Sequence, residues 1–209
     1  MKSDIVTVTN TGEGIGLALQ AASASATYRG LESKNAIRVR LLAEEMLGLV
    51  RQIAGEFEAS FWVESQGNAF ELHLVLCSFI TGKMRKELLK TSSTGKNEAA
   101  KGFMGMLRDM IDRALSSDGS DDPLDDLKWG LVLPADMGMA DPVLYSASAD
   151  FMNWSMQNYL ANVQAESMRS DKAKAEWDEL ERSILANLAD EVKVSVNGNK
   201  AEMTVYKTF

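Results

Sequence analysis

Two segments in which apolar and polar residues alternate, one in the first half of the chain and one near its end, constrain the fold most. Each consists of two runs with a period of two that flank a turn, the pattern of a β-hairpin. The runs are Phe57–Glu64 with Phe70–Cys77, and Val192–Val196 with Ala201–Lys207. The first turn is predicted over Ser65–Asn68, and the second contains the Asn197-Gly198 pair, the strongest local hairpin signal in the sequence. The order of the elements implies that Asp190–Phe209 and Phe57–Cys77 pair within one sheet.

Helical patterns and a short strand precede the first hairpin. Asp4–Thr9 is rich in β-branched residues and predicts a strand. The turn Asn10–Glu13 offers an N-cap for an Ala-rich helix that ends near Gly30. Ser33 is expected to cap a second helix that extends to Ala54. The apolar residues of this second helix recur at helical spacing and are Val39, Leu42, Ala43, Met46, Leu49, Val50 and Ile53.

A short basic helix, Gly82–Lys90, and three longer helices are predicted between the two hairpins. The longer helices are Glu98–Leu115, Ala149–Glu166 and Ser170–Ala189. The apolar residues of the first of them are Phe103, Met106, Leu107, Met110 and Ile111. The residues of the last that are expected to face inward are Trp177, Leu180, Ile184 and Leu188.

The balance of charge and the rare residue types exclude several classes of function. The 209 residues include 22 Lys and Arg against 30 Asp and Glu, for a net charge of −8. Nucleic acids and anionic membranes attract basic faces, so neither is an expected partner. The single histidine, His73, excludes a metal site built from several histidines, and it is expected to be an ordinary residue of a sheet face. The single cysteine, Cys77, cannot form an internal disulfide, so we expect a cytoplasmic protein. Because Cys77 lies in an apolar strand, we expect its thiol to be buried.

The order of strand, two helices, hairpin, loop, helix and closing hairpin resembles the ATP-binding fold shared by anti-sigma-factor serine kinases, sensor histidine kinases, gyrase and heat-shock-90-type chaperones. The anti-sigma branch is the most similar, because its domain also begins with a strand and two helices. The segments that carry the resemblance are Leu42–Leu49, Leu76–Gly82, Lys101–Asp112 and the closing strands from Asp190 to Phe209. The resemblance implies an α/β (α+β) two-layer sandwich with helices on one face of a mixed sheet. It assigns residues 1–112 with 190–209 to an ATPase-like sandwich and residues 113–189 to a mostly helical insertion.

The resemblance also implies positions for a nucleotide site. Glu45 matches the family's acidic residue on the second helix, which would orient a water molecule or accept a proton. The polar loop around Gly95 corresponds to the family's flexible lid, and the Gly102-x-x-Gly105 pattern corresponds to the start of the helix after it. The candidate nucleotide-binding residues are Thr94, Gly95, Lys96, Gly102 and Gly105. Because Lys96 and Lys101 add positive charge at the same end of a helix, this loop is also where we expect an anion or an acidic partner segment to bind.

Two positions depart from the family pattern. Leu49 stands where the family has a metal-binding Asn, and the Cys77-Ser78 region lacks the Asp that reads adenine. Mg²⁺ requires oxygen ligands, and Leu49 supplies none. We therefore expect no cofactor, and we expect a non-catalytic regulatory module of anti-sigma type that binds another protein.

Two alternatives stay open from the sequence. One is an ATP-binding serine kinase or ATPase that binds Mg²⁺ and ATP through altered ligands, with Glu45, Gly102 and Gly105 as its remaining site. The other is a structural protein that forms a homodimer through residues 113–189. The absence of a metal-binding Asn and of an adenine-reading Asp favours the regulatory module, whereas the lid-like loop with Gly102 and Gly105 favours nucleotide binding.

Overall fold

The computed structural model describes residues 1–51, 58–77, 107, 111, 151–167, 177–178, 183–197 and 200–209. Within these ranges lie six strands and four continuous helices, numbered here in chain order. The strands are β1 (Val6–Thr9), β2 (Glu58–Gln66), β3 (Ala69–Cys77), β4 (Phe151–Ser155), β5 (Glu191–Asn197) and β6 (Lys200–Thr208). The helices are α1 (Ile15–Tyr28), α2 (Ser33–Val50), α3 (Met156–Ser167) and α4 (Ile184–Leu188).

All six strands belong to one sheet in the order β1-β2-β3-β6-β5-β4. Strand β6 lies between β3 and β5, so that Val205 pairs with Leu72 on one side and with Val192 on the other. The prediction that the two hairpins share one sheet is therefore confirmed. Each pairing between the described strands is antiparallel, so the expected mixed sheet is wrong. The described architecture is α+β, because every strand runs antiparallel to the strands beside it in the sheet.

The core lies on one face of the sheet, beneath α1 and α2. The alternation predicted for the first hairpin is confirmed, since its inward residues are all buried: Ala59, Phe61, Val63, Phe70, Leu72, Leu74 and Leu76. Small residues of α1 and larger ones of α2 complete the same cluster: Ala18, Ala22, Ala26, Val39, Leu42, Met46 and Leu49. Leu107 and Ile111 are helical and buried, as the spacing of their predicted helix required.

The junction between β1 and α1 depends on Gly14. Its φ is +75°, and a Cβ on this residue would lie 1.9 Å from the carbonyl oxygen of Thr7. Gly14 is also the N-cap of α1, and no side chain caps that helix, so the N-cap predicted within Asn10–Glu13 is wrong. The reason is local: the Thr9 hydroxyl oxygen accepts a hydrogen bond from the Glu13 amide (3.2 Å) and so closes the turn itself.

Helix α2 also begins without the predicted cap. Its N-cap is Glu32, which makes no side-chain hydrogen bond to the helix, and Ser33 is the first helical residue. The helix ends at Val50 with Arg51 as its C-cap. The predicted end at Ala54 lies outside the described residues.

The predicted helix Ala149–Glu166 begins too early. Its first part, Phe151–Ser155, is edge strand β4, and the helix proper begins at Met156. The start of α3 is stabilised by a residue distant in sequence, because Glu191 accepts hydrogen bonds from the Ser155 hydroxyl (2.8 Å) and the Gln157 amide (3.2 Å). Because Glu191 is distant in sequence, the spacing of apolar residues in the predicted helix could not indicate where α3 begins.

The predicted helix Ser170–Ala189 is not continuous. Ser183 has extended dihedral angles, and its hydroxyl oxygen accepts a hydrogen bond from the Ala186 amide, so it is the N-cap of α4. Because α4 starts anew, Leu185 is buried and Ile184 is exposed, which contradicts the inward position expected for Ile184. Trp177 and Leu188 are partly buried against the core, as expected.

Candidate functional site

Glu45 is the one sequence-predicted site residue that the structure describes. It lies in the fourth turn of α2, between the exposed Glu44 and the buried Met46, and its side chain is half-buried. Gly48 follows one turn later on the same side of the helix. No described atom lies within 4 Å of the point where a Gly48 Cβ would stand, so the surface beside Glu45 is open there.

Burial raises the pKa of the Glu45 carboxyl above its ordinary value of 4.5, and repulsion from Glu44 raises it further. A carboxyl group with a raised pKa can hold and release a proton closer to neutral pH, which is the property of a general acid or base. The same shift destabilises the fold at neutral pH, because the native state must hold a charge in a partly dehydrated place.

A Glu45→Gln substitution is therefore expected to stabilise the protein at neutral pH and not at low pH. The parent protein loses stability as the pH rises from about 4.5 through the raised pKa of Glu45, and the variant lacks this loss. The gain should be a few tenths of a kcal/mol, since the carboxyl remains partly solvated. Urea denaturation of both proteins between about pH 4 and pH 8 measures it.

Glu44→Gln is the matched control. It removes the repulsion and leaves the burial of Glu45 unchanged, and burial is the larger cause of the shift. We expect a smaller gain from this control than from Glu45→Gln. Equal gains, or a gain that persists at pH 4, would contradict the assignment of the shift to Glu45.

The other five candidate site residues, Thr94, Gly95, Lys96, Gly102 and Gly105, lie outside the described residues, as do Lys101 and Ser78. The structure therefore brings none of them to Glu45 and separates none of them from it. Leu49, which the resemblance aligned with a metal-binding Asn, is 1% exposed and belongs to the core, as the helical spacing predicted.

The face of the sheet opposite the core carries a second cluster. This polar face is defined by Trp62, Glu71, His73, Thr204 and Tyr206. Trp62 and His73 are stacked, with ring centroids 4.8 Å apart and an interplanar angle of 7°. The His73 Nδ1 atom and the Thr204 hydroxyl are 3.3 Å apart, and His73 Nε2 lies 3.6 Å from a Glu71 carboxylate oxygen.

The edges of the polar face are held by charged residues. Lys2 lies over the Trp62 ring, 4.6 Å from its centroid, and forms an ion pair with Glu64 (3.1 Å). The indole N–H of Trp62 donates to Glu64 (2.9 Å), and this bond, followed by the bond from Lys2, lowers the pKa of Glu64. On the other side, burial raises the pKa of Tyr206, and the nearby carboxylates Glu71, Glu191 and Glu202 raise it further.

A hydroxyl, an imidazole and a carboxylate in sequence are the components of a nucleophilic triad. Here, however, Thr204 lies in β6, in the middle of the sheet, and is only 6% exposed. Its hydroxyl is therefore not accessible to a substrate. Residue pairs across the ladders account for the arrangement, because Trp62, His73 and Thr204 occupy one row of the register. The geometry supports a cross-strand stabilising cluster rather than a nucleophile.

The sequence contained a signal for this cluster. The turn predicted over Ser65–Asn68 is shorter in the structure, where only Gly67-Asn68 lie between Gln66 and Ala69, and this register sets Trp62 opposite His73. The period of two places both residues on the face away from the core. The same rule places Cys77 on this face, at the end of its strand. Cys77 is exposed, so the expected buried thiol is wrong.

Among the described residues, no group of three or more His, Cys, Asp or Glu side chains could hold a metal ion. None of the helices in the described ranges has the length and apolar character that crossing a membrane requires. The described part of the chain therefore offers Glu45 and the polar face as its two chemically distinctive places.

No protein-family model matches the sequence, and no curated protein and no solved structure matches the chain. The resemblance to the ATPase fold accordingly stays a prediction. The α+β architecture with one six-stranded antiparallel sheet rests on the structure alone.

Proposed function

We propose that the chain is a non-catalytic regulatory module of anti-sigma type, which binds a protein partner on a degenerate ATPase-like scaffold. The observation that carries the proposal is the burial of Leu49. Where the resembled family places a metal-binding Asn, this chain has an alkyl side chain that is 1% exposed and packed in the core. An alkyl group cannot ligate Mg²⁺, and phosphoryl transfer depends on that metal and on exact positioning of the phosphates.

The charge of the chain supports a protein as the partner. With a net charge of −8 the molecule repels nucleic acids and anionic membranes at long range. Its basic residues near Lys96 are an exception to this acidity and suit an acidic protein segment. This part of the proposal rests on the sequence, since the loop lies outside the described residues.

Calorimetry and thermal shift with ATP and ADP, each with and without Mg²⁺, test the non-catalytic half of the proposal. We expect no magnesium-dependent affinity tighter than about 100 μM and no nucleotide-dependent rise in melting temperature. A ligand at 100 times its Kd adds about 2.7 kcal/mol to stability, so binding would be seen plainly. Magnesium-dependent affinity below about 100 μM would contradict the assignment of Leu49 to the metal position.

Affinity capture from the source cells tests the other half. The parent chain and the double variant Lys96→Glu/Lys101→Glu are compared with an empty-tag control. We expect a protein that is recovered with the parent and reduced with the variant, while the melting temperatures of the two chains stay similar. Recovery of nothing above the control, or of the same proteins with both chains, would contradict binding through this loop.

The second candidate is a nucleotide-dependent enzyme with altered ligands, and Glu45 favours it. Its raised pKa and the open surface beside Gly48 are features that an active site retains at a cost in stability. If the chain hydrolyses or transfers phosphate, Glu45→Gln should abolish the activity while stabilising the fold. A Glu44→Gln variant should keep the activity.

A further inference from the structure

Helix α1 differs from the rest of the molecule in its composition. A quarter of the whole chain is charged, yet none of the 14 residues from Ile15 to Tyr28 is. One side of the helix is buried, through Ala18, Ala22, Ser25 and Ala26. A surface helix normally carries charged residues on its remaining sides, and a helix without them normally packs against protein on more than one side.

Beside its buried side, α1 has a second apolar stripe, here called the α1 stripe and defined by Leu17, Ala21, Ala24 and Tyr28. Leu17 is 63% exposed and Tyr28 is 72% exposed. The helical neighbours of the stripe that face solvent are Gly16, Gln20 and Thr27, all uncharged. Large apolar side chains at this exposure, in line and without an intervening charge, are typical of a protein contact surface.

The spacing within the α1 stripe is symmetric. Leu17 and Tyr28 are about three turns apart, with Ala21 and Ala24 between them. Both pairs are centred on the same point of the helix, between residues 22 and 23. If two copies of α1 meet antiparallel about a two-fold axis at this point, Leu17 of each copy lies opposite Tyr28 of the other, and the alanines at the centre let the helices approach closely.

The absence of charge on the α1 stripe suits a second copy as the occupant. Two chains of net charge −8 repel each other, and the repulsion is least where the facing surfaces carry no charge. A basic or acidic partner would find no complementary charge on the α1 stripe. An antiparallel arrangement also places the two helix dipoles in opposite directions, which is favourable.

We propose that the protein forms a symmetric homodimer through antiparallel packing of α1 against α1 of a second copy. A 14-residue helix is about 21 Å long, so the contact buries less than the roughly 800 Å² per partner of a standard interface. The dimer is therefore weak, and it forms and dissociates with concentration. This inference is independent of the proposed regulatory function.

Sedimentation equilibrium over a wide range of protein concentration tests the dimer. The parent chain is expected to shift from monomer to dimer as concentration rises, and Leu17→Glu and Tyr28→Glu should each raise the dimer Kd at least about tenfold. Each substitution occurs twice in the interface. Ile37→Glu is the control, because Ile37 is 57% exposed on α2 and lies outside the stripe. A parent that stays monomeric to millimolar concentration, or a dimer that only the control weakens, would overturn the proposal.

Cysteine cross-linking tests the antiparallel geometry, in a Cys77→Ser background. Leu17→Cys and Tyr28→Cys chains, mixed and oxidised mildly, should form a disulfide-linked heterodimer. Neither chain alone should cross-link, because the two copies of each position lie about 16 Å apart along the helix axis in this arrangement. Efficient cross-linking of Leu17→Cys to itself, or no cross-link in the mixture, would overturn the antiparallel arrangement even if the substitutions had weakened the dimer.

Discussion

A Gly14→Ala substitution is expected to cost about 4 kcal/mol or more, which is a large fraction of the stability of a typical domain. The added methyl group would stand 1.9 Å from the Thr7 carbonyl oxygen and 3.3 Å from the Val8 Cα, both backbone atoms that no rotamer change can move. The positive φ of +75° adds a further cost for any residue with a Cβ. Urea denaturation, with circular dichroism to detect an unfolded variant, measures the effect.

Gly30→Ala separates the two causes. Gly30 follows α1 and has a similar φ of +71°, but no described atom lies within 4 Å of the added Cβ. We expect this control to lose only about 1 to 2 kcal/mol, the cost of the left-handed conformation alone. Equal losses at the two positions would mean that the close approach of Gly14 to β1 contributes nothing.

A Leu49→Asn substitution, which installs the residue type of the resembled metal site, is expected to cost at least about 3 kcal/mol. The side chain is 1% exposed, so the substitution removes core contacts and buries an amide at a position that holds an alkyl side chain and needs no hydrogen-bond partner. Leucine-to-alanine substitutions in cores cost about 2 to 5 kcal/mol, and a buried unsatisfied polar group adds about 1 to 3. Urea denaturation measures the loss as a lower midpoint concentration, with the dependence of the unfolding free energy on urea concentration unchanged between parent and variant.

Leu49→Met is the matched control for that prediction. It nearly conserves volume and introduces no hydrogen-bonding group, so the loss should stay below about 1.5 kcal/mol. If Leu49→Asn cost less than about 1 kcal/mol, its side chain would have access to solvent or to polar partners. The argument against a magnesium site at this position would then fail.

The hairpins and the core of α2 could be predicted because their signals are local. The period of two on either side of Gly67 determines which residues of β2 and β3 face the core. The register itself depends on the two-residue turn Gly67-Asn68, which is shorter than the turn predicted over Ser65–Asn68. The stripe from Val39 to Leu49 needed only helical spacing. The order of the elements also predicted that the two hairpins share one sheet, whereas the specific pairing of β3 with β6 comes from the structure.

The remaining features depend on contacts that spacing does not record. Phe151–Ser155 forms an edge strand because β5 offers a free ladder, and Glu191 then caps the helix that follows. Ser183 interrupts a helical pattern because its hydroxyl caps the next helix. Glu45 could be named from the resemblance, but its partial burial could not. The exposure of Cys77 is different, since strict application of the alternation would have predicted it.

The central position of β6 has a consequence for synthesis. His73 in β3 lies beside Thr204 in β6, 131 residues later in the chain. At roughly 5 to 20 residues per second, the ribosome exposes β3 about 7 to 26 s before its neighbour exists. For that time the edge of β3 that later pairs with β6 has unpaired N–H and C=O groups, so the nascent chain is open to edge-to-edge aggregation. We expect its yield to depend on chaperones that bind extended apolar segments, far more than the stability of the finished sheet suggests.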